Sequence, residues 1–153
     1  MLEPSPVADP HVSTTVVRVP FYDTDAMGVV HHANYLRYFE NARVDWFRKR
    51  GVLYGSGLGD NIHLAAVESH VKYRSAARFD DLLVVQVRLA DLQRISMKFS
   101  YTIANQADGR IVAEGDTLHA CVSDEFRLKR IPVPVREALM SPEHGASLRL
   151  EPK

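Results

Sequence analysis

The chain has 153 residues, of which 46% are hydrophobic, and its 19 Lys and Arg residues are balanced by 19 Asp and Glu residues. This length suits one domain, and the hydrophobic fraction is that of a globular protein with a buried core. A formal net charge of zero argues against a surface devoted as a whole to nucleic acid or to anionic lipid.

The amino-terminal residues do not resemble a targeting signal. Residues 1–12 are acidic and proline-bearing, and they lack the basic and apolar regions of a signal peptide. We expect a flexible leader over residues 1–12, a single domain over 13–140 and a tail over 141–153. The single cysteine, Cys121, excludes an internal disulfide and favours a reducing, cytoplasmic compartment. No apolar run approaches the roughly 20 residues of a membrane-spanning helix.

The first part of the domain predicts one strand followed by one long helix. Residues 13–22 are rich in Thr and Val and indicate a strand, with Pro20 at a sheet edge or at the strand's end. After a loop, residues at helical spacing predict a helix over 34–50: Tyr35, Phe39, Ala42 and Trp46. We expect Asn34 to cap its start and Gly51 to follow its end. The wide aromatic face of this helix requires a broad partner such as a curved sheet.

The second part of the domain predicts four consecutive strands after a glycine-dense connection. The strand-like segments are His63–Tyr73, Leu82–Ala90, Ile95–Asn105 and Ile111–Val122. Asp108-Gly109 predicts a hairpin between the last two, and residues 131–140 predict at most a short helix. The expected fold class is therefore α+β, an antiparallel sheet wrapped around one helix.

Residues 21–43 concentrate polar side chains between the first strand and the helix. Within them lie two aspartates, a glycine and two histidines: Asp23, Asp25, Gly28, His31 and His32. Asp25 precedes Asn34 by nine residues, so the loop can bring its carboxylate beside the unpaired N–H groups of the helix start. Gly28 permits backbone angles that are closed to other residues. A carboxylate that faces amide donors is suited to acyl transfer.

This segment resembles the signature of the 4-hydroxybenzoyl-CoA thioesterase family, most closely its YbgC-like branch. The resemblance rests on Asp23-Thr24-Asp25, on Gly28-Val29-Val30 and on His32-Ala33-Asn34-Tyr35. Downstream, residues 71–89 are similar to a strand-turn-strand of that branch, with recognisable positions at Tyr73, Ala77, Asp80, Asp81 and Leu83. The resemblance covers residues 15–135, which is nearly the whole domain.

The resemblance implies the hotdog fold and a homodimer or homotetramer with active sites at the dimer interface. It implies hydrolysis of an acyl-CoA thioester to a free carboxylic acid and CoA, without a metal or an organic cofactor. The family's catalytic carboxylate falls on Asp25, as a nucleophile or as a general base. A backbone N–H on or next to His32 would polarise the thioester carbonyl, and the His32 side chain is itself implicated.

Further site residues follow from the same resemblance and from the predicted strands. Substrate contacts are expected at Gly28, Val29, Asn34 and Tyr35. Arg94 matches a position that is basic in related thioesterases and is a candidate for the CoA phosphates. Arg127, Lys129 and Arg130 form a second basic cluster. Glu68, on a strand predicted to pass the site, is a third catalytic candidate that would orient water or assist Asp25.

Ordinary structural roles compete with these assignments. Asp23 is favoured as a turn-forming or structural acid. His31 is favoured as structural or exposed, and a metal site on the two histidines is disfavoured because no third ligand has metal-binding spacing. Cys121 is typical of a small core residue. Glycines 55, 57 and 59 follow a helix and do not form a phosphate-binding loop.

Two other functions stay open on the same fold. One is a non-catalytic module that binds acyl-CoA or acyl-carrier protein, against which the intact Asp25 weighs. The other is a hydratase or dehydratase, which would need an acid–base pair on the helix, where only Glu40 and Asp45 occur. Aliphatic and aromatic acyl groups are equally compatible with the sequence. Acyl-carrier protein is an additional candidate partner, whereas nucleic acid is not expected.

Overall fold

The computed structural model describes residue 9 and residues 11–52, 58–59 and 61–143. Its elements, in chain order, are β1 (Val12–Arg18), a 3₁₀ turn (Phe21–Asp23), α1 (Asn34–Arg48), β2 (His63–Tyr73), β3 (Leu82–Leu92), β4 (Ser96–Asn105), β5 (Ile111–Val122) and α2 (Val133–Met140). Most of the predicted leader and tail, and most of the glycine-dense connection, lie outside the described residues. No helix within the described ranges has the length and apolarity to cross a membrane.

The five strands form one antiparallel sheet in the order β1-β3-β4-β5-β2. One face of this sheet packs against α1, as the sequence predicts. β3 and β4 alternate strictly over most of their length, and their buried residues include Leu83, Val85, Phe99 and Ile103. β1 and β2 are the two edge strands, and β2 is exposed along nearly all of its length.

Helix α1 lies on the sheet because its buried side chains recur every three or four residues. They are Tyr35, Tyr38, Phe39, Ala42, Arg43, Trp46 and Phe47. The Phe39 ring stacks on Tyr101 of β4, with centroids 4.2 Å apart. Gly115 of β5 lies beneath the same ring, and a Cβ there would be 2.7 Å from Phe39 and 2.2 Å from the carbonyl oxygen of His70. The absence of a side chain at Gly115 therefore lets α1 and β2 approach β5 closely.

Three predicted boundaries are wrong, each for a local reason. β1 ends at Arg18 instead of residue 22, because Pro20 cannot donate to the sheet and the chain turns into the 3₁₀ segment. Ala33 occupies the cap position of α1, while the Asn34 side chain donates to the backbone oxygen of Asp23 at 2.8 Å. The helix ends at Arg48, two residues early, and Gly51 reverses the chain with φ of +75°.

The other predicted elements agree with the structure. β2 and β5 have the predicted bounds, β3 is two residues longer and β4 begins one residue later. β4 and β5 form the expected hairpin, in which Gly109 has φ of +72°. Cys121 is fully buried in β5, as expected of a core residue.

Candidate functional site

The loop between the 3₁₀ turn and α1 forms a tight hairpin that displays Asp25. Thr24 and Val30 form an isolated antiparallel bridge, and the Asp25 N–H donates to the Val29 carbonyl at 2.9 Å. The Gly28 N–H donates to the Asp25 carbonyl at 2.9 Å, with Gly28 at φ of +74°. A side chain at Gly28 would be strained at this backbone angle, so glycine is the residue that closes this turn.

Asp23 fastens this loop to α1 and is only 2% exposed. Its carboxylate accepts a hydrogen bond from the Tyr38 hydroxyl at 2.7 Å and forms an ion pair with Arg37 at 3.0 Å. Its backbone oxygen accepts from the Asn34 side chain. Burial is the largest cause that raises the pKa of Tyr38, and the Asp23 carboxylate is the next. The Tyr38 hydroxyl therefore stays protonated and donates to Asp23. These contacts agree with a structural role for Asp23.

Asp25 keeps part of its carboxylate available. Oδ1 accepts from the Met27 N–H at 2.9 Å, in the manner of an Asx turn. Oδ2 accepts no hydrogen bond from any residue that the structure describes. The side chain is partly exposed and borders a cavity of about 330 Å³.

The cavity beside Asp25 lies between the loop, the start of α1 and the end of β2. Its lining includes Asp25, Met27, Val29, His32, Tyr35 and Tyr73, with residues 74–76 completing one wall. Predicted site residues from the loop and the helix start are thus brought together. Tyr73 is the main lining residue that sequence reasoning did not assign to the site, although it belongs to the downstream motif.

Tyr35 is a buried wall of this cavity, only 3% exposed. Its ring packs edge-on against Tyr73, with centroids 5.4 Å apart. Burial is the largest cause that raises the Tyr35 pKa, and the charges of Tyr73 and Asp25 act in the same direction. The Tyr35 hydroxyl therefore stays protonated and neutral beside the Asp25 carboxylate.

His32 contributes both main-chain and side-chain groups just before the amino-terminal end of α1. Its backbone N–H has no hydrogen-bond partner within the described part of the chain. Its carbonyl oxygen accepts from the Tyr73 hydroxyl at 3.0 Å. The ring lies 4.1 Å from the His31 ring, while His31 Nδ1 accepts from the Ala33 N–H at 3.2 Å. His31 thus engages the backbone, and His32 offers a free donor next to Asp25's cavity.

The remaining predicted site residues lie elsewhere or beside the lining. Gly28 and Asn34 shape the loop without lining the cavity. Glu68 is exposed on β2, where its carboxylate lies 3.8 Å from His70 Nε2. Arg94 lies in the β3–β4 connection, in a separate cleft of about 360 Å³ that also holds Arg130 and Arg136. This basic cleft is at the opposite end of the sheet from the Asp25 cavity.

No group of three or more His, Cys, Asp and Glu side chains suited to a metal ion occurs among the residues with described structure. The two adjacent histidines are stacked on each other and have no such partners. Side chains at the Asp25 cavity are instead those of acid–base or nucleophilic chemistry. A carboxylate oxygen and a free amide donor lie on the same short loop.

Comparison with known proteins finds a family match over most of the chain. Residues 19–142 match the thioesterase-like superfamily. The acyl-CoA thioester hydrolase YbgC of Escherichia coli is 31% identical over 118 residues, which are 77% of this chain and 87% of that protein. The hypothetical protein TT1821 of Thermus thermophilus has a similar structure, with a TM-score of 0.77 and 36% identity over 83% of this chain and 96% of that one.

A variant of 4-hydroxybenzoyl CoA thioesterase in complex with 4-hydroxybenzoyl CoA also has the same fold. Its TM-score is 0.77 at 20% identity, over 84% of this chain and 99% of that one. The antiparallel sheet on one long helix matches these neighbours, so the predicted hotdog fold is confirmed.

Proposed function

This chain belongs to the thioesterase-like superfamily, and on that premise we propose that it hydrolyses acyl-CoA thioesters to a free carboxylic acid and CoA. One observation carries the proposal. Asp25, whose Oδ2 is free, borders a cavity that is also lined by His32, whose backbone N–H has no partner in the described part of the chain. A carboxylate and an amide donor that share a cavity are the two groups that thioester cleavage requires.

Asp25 acts in one of two ways in this proposal. As a nucleophile, Oδ2 attacks the thioester carbon, the C–S bond breaks, and CoA leaves as a thiolate that is then protonated. Water hydrolyses the resulting anhydride and regenerates the carboxylate. As a general base, Asp25 takes a proton from water while the water oxygen attacks the same carbon. The C–S bond then breaks, and the departing CoA thiolate receives that proton back from Asp25. In both routes one water is consumed, and the acid and CoA are released.

His32 and Tyr35 serve the same reaction from the start of α1. The His32 N–H would donate to the thioester oxygen as negative charge develops on it. Its position at the amino-terminal end of a helix adds a favourable dipole. Tyr35 supplies a buried neutral wall for the acyl group, together with the apolar side chains of Val29 and Met27. Gly28 and Asn34 hold the loop that presents these groups.

The basic cleft around Arg94, Arg130 and Arg136 is the proposed site of the CoA phosphates. Arginine guanidinium groups bind phosphate oxygens well, and three arginines are among the residues that line the cleft. Within one chain this cleft and the Asp25 cavity lie at opposite ends of strands of about ten residues, roughly 30 Å apart. We therefore infer that the cleft serves the cavity of a second subunit, in a homodimer.

β2 offers the surface for such a dimer. It is an 11-residue edge strand that pairs with no strand but β5 in the described part of the chain, and its side chains are largely exposed. Unpaired strand edges recruit other strands. Antiparallel pairing of two β2 strands about a twofold axis would place the Tyr73 end of one beside the His63 end of the other. Glu68 lies at the middle of β2 and is not among the residues that line the Asp25 cavity of its own chain, so its catalytic role stays a prediction.

The proposal is tested by thiol release from a panel of aliphatic and aromatic acyl-CoAs. Wild type should turn over at least one of them, and Asp25→Asn should lower kcat by about a hundredfold or more, because the amide is neither nucleophile nor base. Asp108→Asn is the matched control, since an asparagine before Gly109 preserves the β4–β5 turn. Acyl-CoA binding by wild type without thiol release would instead favour the non-catalytic binding module.

A further inference from the structure

Tyr73 makes a long-range contact with the loop of the proposed active site. It is the last residue of β2, and its hydroxyl donates to the His32 carbonyl oxygen at 3.0 Å. The two residues are 41 positions apart in sequence, so the bond joins the edge strand to the segment just before α1. The Tyr73 ring rests edge-on against Tyr35, which keeps the hydroxyl in place.

The His32 backbone is held on both sides by this arrangement. The preceding peptide is fixed because the His31 carbonyl accepts from the Asn34 N–H at 2.9 Å. The following peptide is held at both of its polar atoms, by the Tyr73 hydroxyl at the His32 carbonyl and by His31 Nδ1 at the Ala33 N–H. The His32 N–H belongs to the first of these two peptides and has no partner of its own in the described residues. The second peptide, which Tyr73 holds, is joined to it through the His32 Cα. Loss of one anchor would free rotation next to the donor without removing the donor itself.

The Tyr73 hydrogen bond is expected to contribute little to the free energy of unfolding. Within one chain the residue is 52% exposed, so the chain's own core does not shield this hydrogen bond from water. Exposed hydrogen bonds contribute little net stability because folding exchanges one hydrogen bond for another. Catalysis depends more strongly on the position of the amide donor, because an oxyanion donor must stay within a few tenths of an ångström of its working position. A contact of this kind can matter more for turnover than for folding.

We propose that Tyr73 is a positioning residue, whose hydroxyl orders the His32 segment so that the free N–H of His32 is held ready for the thioester oxygen. The inference rests on the proposed thioesterase function and adds a residue to its machinery. Tyr73 does not bind the reacting atoms in this account. It acts through the backbone of His32.

The test compares Tyr73→Phe with Tyr22→Phe in the full-length protein. Tyr73→Phe removes one oxygen and leaves the ring on Tyr35, whereas Tyr22 is 80% exposed and lies outside the cavity lining. We expect Tyr73→Phe to lower kcat about tenfold, with KM changed less than about threefold and Tm nearly unchanged. Tyr22→Phe should match wild type. In ¹⁵N–¹H spectra, the amide signals of His32 and Ala33 should shift or broaden in Tyr73→Phe alone.

Several outcomes would overturn the inference. An unchanged kcat would show that the hydroxyl has no role in turnover. A raised KM with normal kcat would make Tyr73 a substrate contact, and a parallel fall of Tm and kcat would make it a structural residue. If wild type releases no thiol from any acyl-CoA, the proposed function fails instead. The amide spectra then decide by themselves whether Tyr73 orders the His32 segment, and unchanged spectra would refute it.

Discussion

Asp23 and Asp25 are separated by one residue, yet their carboxylates meet different surroundings. That of Asp23 is buried between Tyr38 and Arg37, whereas Asp25 keeps Oδ2 free at the edge of a cavity. The difference follows from the 3₁₀ turn, which ends at Asp23 and directs its side chain towards α1. A sequence pattern with two acids can therefore combine one anchor and one reactive group.

A second polar feature at the residue scale lies inside the core, away from the cavity lining. Arg43 of α1 donates to the Tyr101 hydroxyl at 3.0 Å, and that hydroxyl is 2.7 Å from Thr117 Oγ1. His119 Nε2 lies 2.7 Å from the same Thr117 oxygen. His119 is 1% exposed, and its Nδ1 has no hydrogen-bond partner in the described structure. Burial, and then the Arg43 cation, lower the His119 pKa to about 4.

This buried histidine predicts loss of stability in mild acid. In the unfolded chain His119 takes up a proton below its ordinary pKa of about 6.5, while the folded protein resists protonation until about pH 4. Its contribution is therefore fully present above pH 6.5 and is lost as the pH falls towards 4. Between pH 7 and pH 5 the free energy of unfolding should fall by about 2 kcal/mol on account of His119.

Urea unfolding of wild type and His119→Gln at both pH values measures this contribution. The variant should show a smaller decrease between pH 7 and pH 5, by about the amount assigned to His119. His70→Gln is the control, because His70 is an exposed histidine on β2. An equal pH dependence in wild type and His119→Gln would contradict the prediction.

At the scale of elements, sequence patterns predict the features that depend on residues close together in the chain. Helical spacing predicts α1 because one face of the helix is buried, and strand-forming composition between turn residues predicts β2 and β5. Asp25, His32 and Tyr35 share a cavity for a similar reason, since they belong to one loop and the helix start that follows it. A family signature of this kind therefore predicts the centre of the site well.

Contacts across the sheet could not be predicted from the sequence. The Tyr73 hydroxyl reaches His32 only because β2 pairs with β5 in one register. Asn34 was expected to cap α1, but its side chain turns to the Asp23 backbone, a partner 11 residues away. Arg94 and Glu68 lie outside the cavity of their own chain, and a single sequence does not say which surfaces of two subunits meet.

A substitution at Gly115 tests the close contact between α1 and the sheet. Gly115→Ala should destabilise the protein by about 1–3 kcal/mol or more, because the new methyl group overlaps the Phe39 ring and the His70 carbonyl. Thermal unfolding of the variant would detect this as a lower Tm. Adding Phe39→Leu should restore only part of the loss, since the His70 carbonyl is main chain and cannot be trimmed. A Tm equal to that of wild type would rule out the close contact.

At the scale of the whole molecule, the Asp25 cavity and the basic cleft lie at opposite ends of one sheet. A homodimer paired through β2 would unite the cavity of one subunit with the cleft of the other. An inactive variant substituted in the cavity and another substituted in the cleft should then complement each other, because a mixed dimer contains one intact site. Sites confined to single chains would not permit this.

The complementation experiment uses Asp25→Asn and Arg94→Glu with different affinity tags. Each homodimer should have a kcat/KM at least about tenfold below wild type. The doubly tagged heterodimer should recover about half of the wild-type activity, since one of its two sites has both Asp25 and Arg94. Activity equal to the average of the two homodimers would place the site within one chain, and failure to isolate any heterodimer would contradict the dimer.

The strand order has a consequence for how the protein is made. β2 is synthesised before β3, β4 and β5, yet among the described strands it pairs with β5 alone. At about 5–20 residues per second, a ribosome needs roughly three to ten seconds to proceed from the end of β2 to the end of β5. Throughout that interval the nascent β2 has no intramolecular strand to pair with. Folding of the sheet is therefore expected to wait for nearly the whole domain to emerge, and β2 stays accessible to chaperones until then.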